Sequence, residues 1–114
     1  MKNIIMASVL MMLAGCVSTS QEDLAQEGDW RQIGYQDGIR GHTERSFSQL
    51  SKLGSVVMAE YDEGYLEGVA EYCNPNHAYM IGLSGQPYEG VCEGMEDAQQ
   101  FRMEWQRGWN EYSN

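Results

Sequence analysis

Tyr61, Gly64, Tyr65, Gly68, Val69 and Tyr72 recur at i, i+3, i+4, i+7, i+8 and i+11, which traces one face of an α-helix and neither face of a strand. A glycine inside a helix costs about 1 kcal/mol relative to alanine, so a helix that keeps two on its apolar face must gain from close approach of another backbone or ring. The signature occurs twice more, as Gly34-Tyr35-Gln36-Asp37-Gly38 and as Gly108-Trp109-Asn110-Glu111-Tyr112. Each segment has an aromatic residue three or four positions before its first glycine: Trp30, Tyr61 or Trp105. The spacing predicts an all-α domain, a small bundle of about four short helices with glycine and aromatic packing faces.

The helices are placed by their stops. Asp29 with Gln32 has the form of a capping box, which opens a helix over 30–40 ended by Gly41. A second stretch carries Phe47, Leu50 and Leu53 and stops at Gly54. The helix over 61–72 ends at Asn74-Pro75, and the same pair caps a short one running to Ile81. Residues 82–90 hold three glycines and Pro87 and read as turns, and a last helix follows over 96–112.

The amino terminus has a different character. Lys2, an apolar run from Ile4 to Leu13 and the tetrad Leu13-Ala14-Gly15-Cys16 have the parts of a signal peptide, too short to span a bilayer as a helix of roughly 20 residues. Leu-Ala-Gly-Cys resembles the bacterial lipobox, which implies removal of residues 1–15 and lipidation of Cys16. Val17 stands where an Asp would imply retention in the inner membrane, so the resemblance implies an outer-membrane anchor with the domain facing the periplasm. Residues 16–28 are polar, lack apolar periodicity and read as a tether, leaving 29–114 as the domain. Lipidation consumes one of three cysteines, and in an oxidising compartment Cys73 and Cys92 are expected to pair.

Losing Lys2 takes the formal charge from −10 to −11, which repels nucleic acid and tolerates a basic protein partner. Glu60, Glu63, Glu67 and Glu71 form an acidic stripe that reads as a solvated helix face. His42 and His77 have no zinc spacing, no calcium loop is present, and Gln86 stands where a nucleophile elbow around Ser84 would need glycine. No catalytic, metal or cofactor residues are assigned. Trp30, Tyr35, Tyr65 and Trp109 are the candidate partner-binding residues, although an aromatic stripe at helical spacing is more often core.

The run Trp30-x3-Gly-Tyr-x-Asp-Gly-x2-Gly, then Tyr61-x2-Gly-Tyr-x2-Gly-x3-Tyr-Cys, then Gly82-x2-Gly-x2-Tyr-x-Gly-x-Cys92 resembles the family catalogued as domain of unknown function 2799, short lipoproteins of Gram-negative bacteria. The resemblance spans nearly all of 29–112 and implies envelope localisation and paired cysteines, with no established activity. The expected function is a non-catalytic adaptor or accessory envelope protein with an envelope protein as its partner. The alternative is a binder or inhibitor of a basic periplasmic protein such as a lysozyme.

Overall fold

A computed structural model describes residues 20–114, so the signal peptide, Cys16 and Val17 lie outside the described residues. Six helices follow in order: α1 Gln21–Gln26, α2 Trp30–Ile39, α3 Phe47–Leu50, α4 Met58–Tyr72, α5 Pro75–Leu83 and α6 Ala98–Ser113. No strand occurs among the described residues, as the helical spacing requires. Each short helix has a local reason to begin. Ser20 accepts from the Asp23 N–H, Asp29 from Gln32, Asn74 from Asn76, and Ser46 with Gln49 forms a reciprocal capping box.

The glycines join the helices in two pairs. A methyl group added to Gly64 would land on the Arg31 carbonyl, and one on Gly68 would land on the Tyr35 carbonyl. Reciprocally, Gly34 faces the Tyr61 carbonyl and Gly38 the Tyr65 carbonyl. One turn forward on α2 therefore meets one turn forward on α4, so the two helices run parallel. The Gly-x3-Gly spacing on both is the one that lets helix backbones touch, with Cα–H groups directed at carbonyl oxygens.

Helices α5 and α6 repeat this arrangement. Gly82 faces the Trp105 carbonyl and Gly108 the Tyr79 carbonyl, as Gly38 and Gly68 do in the first pair. Gly41 and Gly85, both at positive φ (72° and 86°), sit under the rings of Tyr72 and Tyr112 respectively. Each ends its helix in a Schellman motif, closed by His42 N–H to Asp37 O and by Gln86 N–H to Ile81 O. The Tyr65 hydroxyl donates to the carbonyl of His42 (2.8 Å) and the Trp105 indole N–H to that of Gln86 (2.9 Å). The Tyr35 hydroxyl donates to Glu71, and that of Tyr79 to Glu111. The domain is thus built from two copies of one unit, a parallel helix pair whose members are linked by a crossover, residues 41–57 in the first and 84–97 in the second.

Three expectations change. The tether expected over 16–28 gives way at Ser20 to α1, whose Leu24 and Ala25 are buried in the core. Six residues with two apolar side chains are too few to show a period, and tertiary contact holds the helix. Six helices rather than about four are present among the described residues, since α1 adds one and the Phe47 stretch forms a helix of its own, a single turn with Leu50 fully buried and Phe47 exposed. Gly82, read as part of a turn, lies inside α5 at its crossing with α6. The expected disulfide is present between Cys73 and Cys92.

The crossings predict a sign reversal of the usual helix preference. Gly68→Ala should lower the unfolding free energy by about 3 kcal/mol, because the clash with the α2 backbone outweighs the roughly 1 kcal/mol gained in helix propensity. Gly54→Ala, whose new methyl would lie 3.7 Å from Trp30, should change stability by less than about 1 kcal/mol. Denaturant melts of the two variants decide this, and a Gly68→Ala protein as stable as the parent would refute the close approach.

Candidate functional site

The apolar face of α2 carries one carboxylate. Asp37 follows Trp30 and Ile33 on that face, which buries it to 5% exposure. An isolated buried carboxylate is untenable, and Asp37 is fully engaged. Arg45 grips it through Nε (2.8 Å) and Nη2 (3.2 Å), the Tyr61 hydroxyl donates to it (2.7 Å), and the Gln21 amide adds a fourth bond (3.2 Å). Tyr61 also accepts from the Arg45 backbone N–H, and Arg45 donates to Gln21 Oε1. Burial pushes the Tyr61 phenol up to about 12, so it stays a donor throughout the physiological range. This cluster ties α1, α2, α4 and the first crossover together beside a hollow of about 260 Å³ lined by Gln21, Asp37, Arg40, His42, Thr43 and Arg45.

Next to it the crossover presents a second acidic contact. Glu44 meets Asp62, whose Oδ1 is buried with no donor, and hydrogen bonding to Asp62 raises the Glu44 carboxyl to about 7. A protonated Glu44 would supply the missing donor. Glu89 reaches from the second unit to accept from the Thr43 N–H and hydroxyl and to meet His42 Nδ1 (3.0 Å). These bonds, His42 first, hold the Glu89 carboxyl below its usual range. The Tyr72 hydroxyl is buried without a partner, and burial drives it up to about 12.

The opposite face of the first pair is charged. Arg31 bridges to Glu63 and Glu67, and Glu71 receives Tyr35, so the acidic stripe is exposed as expected but partly neutralised from α2. Beyond Arg31, at the amino-terminal end of α2, Glu27, Gly28, Asp29, Glu60 and Glu63 line an open hollow of about 510 Å³. Four carboxylates there face one guanidinium.

The aromatic candidates separate by burial. Trp30 (1% exposed) and Tyr65 (8%) belong to the core and offer no contact surface. Tyr35 and Trp109 are half-buried, the first held by Glu71 and the second stacked on Trp105 with Tyr112 tilted against it. His42 and His77 are not brought together, since His77 meets the Glu71 carbonyl, and Ser84 donates to the Ile81 carbonyl at the end of α5. Among the described residues no cluster of His, Cys, Asp and Glu is arranged to hold a metal ion. The Asp37 network went unassigned in the sequence, although an acid in register with Trp30 and Ile33 was the available signal.

The Glu44 contact predicts a pH dependence with a definite sign. A carboxyl whose folded value is raised to about 7 contributes stability that is complete below its ordinary range and is lost as pH rises through about 7. The melting temperature should therefore fall between about pH 5.5 and pH 8, and Glu44→Gln should flatten that slope. Relief of charge repulsion acts in the same direction in both proteins, so the difference in slope is the readout; parallel slopes would refute the protonated Glu44.

Comparison with known proteins adds a family and no activity. The chain is 27% identical over 113 residues to the uncharacterised Escherichia coli (strain K12) protein YfiL, covering 97% of this chain and 93% of that protein. No solved structure matches. The model of the family described as protein of unknown function DUF2799 matches residues 29–110, the span that holds both helix pairs, their crossings and the disulfide, and the chain belongs to that family.

Proposed function

We propose that this protein is a lipid-anchored, non-catalytic component of the bacterial envelope, held at the periplasmic side of the outer membrane, whose helical domain keeps a protein partner there. The observation that carries the reading is the pairing of Cys73 with Cys92, which leaves Cys16 as the remaining thiol of the sequence, in Leu-Ala-Gly-Cys at the end of an apolar leader. The engagement of His42 and Asp37 in bonds that hold one part of the chain to another, and of Ser84 in a bond to its own helix, supports a binding role over a catalytic one. Cys16→Ala should abolish incorporation of labelled palmitate and leave the precursor unprocessed at this site. An equally labelled, membrane-bound product from the variant would sink the anchor.

A second reading, binding or inhibition of a basic periplasmic protein such as a lysozyme, is favoured by the hollow bounded by Glu27, Asp29, Glu60 and Glu63. Its attraction would be long-range and screened by salt, with a Debye length of about 10 Å at 0.1 M. Titration against a basic lysozyme should show an affinity that drops at least about tenfold between roughly 0.05 and 0.3 M salt, and again in a Glu60→Gln, Glu63→Gln variant. Affinity indifferent to both changes would reject this reading.

A further inference from the structure

The ordered domain begins much closer to Cys16 than a polar tether over 16–28 would allow. Ser20 caps α1, Leu24 and Ala25 are buried, and the Gln21 side chain is fixed to Gln36, Asp37 and Arg45. Four residue steps separate Cys16 from Ser20, and at full extension they span at most about 14 Å. Acyl chains on Cys16 would fix that residue at the level of the head groups, whose layer is itself roughly 5 to 8 Å deep on each side of the hydrocarbon. A leash of that length leaves little room for tumbling: the end of the domain that carries Ser20 and Gln21 must stay within reach of the lipid surface.

That end holds one cation without a carboxylate partner among the described residues. The hollow beside Gln21 holds Arg40, His42 and Arg45. Arg45 is committed to Asp37, and His42 faces Glu89, with Glu44 next in the chain. Arg40 is exposed and has no carboxylate within ion-pair distance among the described residues, unlike Arg31, Arg45, Arg102 and Arg107. Its backbone is pinned, because its carbonyl accepts from Gln86 (2.6 Å). The hollow with four carboxylates lies at the other end of α2, ten residues or about 15 Å away. Both ends carry carboxylates, Glu22 and Asp23 in the first turn of α1 among them, so net charge does not choose between them; the short separation from Cys16 decides which end meets the lipid, and Arg40 is the cation there left to meet phosphate.

We infer that, given the lipid anchor proposed above, the short leash seats the Gln21–Arg40–Arg45 end of the domain on the phospholipid surface with Arg40 against lipid phosphate, and turns the acidic hollow of Glu27, Asp29, Glu60 and Glu63 away from the membrane. The occupant of this surface is the bilayer that holds the acyl chains. The orientation presents the acidic face to partners in the periplasmic space.

Arginine-specific dicarbonyl labelling of the full lipidated protein, read residue by residue by mass spectrometry, tests this. In vesicles of phosphatidylethanolamine with about one-fifth phosphatidylglycerol, Arg40 should react at least about fivefold more slowly than in a variant with a ten-residue Gly-Ser insertion between Thr19 and Ser20, the factor expected for one cation at an anionic surface. Arg31 and Arg102 should react equally in the two proteins. Equal labelling of Arg40 in the short-leash and long-leash proteins, or protection shared by Arg31, would overturn the orientation while leaving the anchor intact. Absence of acyl mass on Cys16 in the purified protein would overturn the anchor, and the inference with it.

Discussion

The contact on which the rest of the architecture depends is a glycine Cα laid against a carbonyl of the neighbouring helix. It occurs in both directions at Gly34 and Gly64, at Gly38 and Gly68, and at Gly82 and Gly108. Such an approach leaves no room for side chains at the crossing, so the binding energy has to come from the flanks. There the chain places rings and paired polar groups: Tyr61 and Tyr65 beside the first crossings, Phe101, Trp105 and Trp109 beside the last, with Tyr35–Glu71 and Tyr79–Glu111 closing the outer side. Parallel helices cannot be joined by a tight turn. Each unit therefore needs a crossover, and each crossover is used to cover the inner side of its pair, through Leu50 in one and Tyr88, Val91 and Cys92 in the other.

The polar groups drawn into this arrangement explain its local order better than its apolar surface does. Arg45 enters the structure because Asp37 needs a counter-charge, and Tyr61 reaches both. Removing one member of such a set strands the others, at a cost of about 3 to 5 kcal/mol for a broken buried ion pair, which exceeds what most single apolar contacts contribute. The set fixes the first crossover on α2 and draws α1 in by Gln21. The same bonds that stabilise the fold thus hold Gln21, five positions after Cys16 in the sequence, against the core.

Sequence periodicity revealed α2, α4 and α6 because each carries enough apolar residues to repeat a face. It missed α1 and the true extent of α3, which have two apolar residues each and exist through contact with the core. It also left the duplication half visible. Three of the glycine segments were apparent, whereas Gly82 sits among Gly85, Pro87 and Gly90 and so has the local appearance of a turn. The second unit has Ala78 and Glu104 where the first has Gly34 and Gly64, so it keeps one crossing of two, and its crossover is shorter. What identifies the two as copies is the recurrence of the local Schellman motif together with Gly-on-ring and side-chain-to-carbonyl contacts, the last two joining residues more than a dozen positions apart. The disulfide was legible from compartment and count, and the burial of Trp30 and Tyr65 followed the more common fate of an aromatic stripe.

The duplication gives the disulfide a more specific task than closing a loop. The large helix interfaces are α2 with α4 and α5 with α6, each internal to one unit. Between units the structure relies on a narrow seam: the Tyr72 ring against Phe101 at 5.2 Å, Glu89 on His42 and Thr43, Gln86 on the Arg40 carbonyl, His77 on the Glu71 carbonyl, and the Cys73–Cys92 bond. The noncovalent members are the exposed polar contacts of Glu89 with His42 and Thr43, of Gln86 with the Arg40 carbonyl and of His77 with the Glu71 carbonyl, and one ring pair, together worth a few kcal/mol by ordinary magnitudes. A bond closing a sequence separation of 19 adds roughly 3 kcal/mol in the chain-entropy account, comparable to the rest of the seam. The bond lies outside both sets of crossings, so its reduction is expected to weaken the junction between units before it weakens either unit.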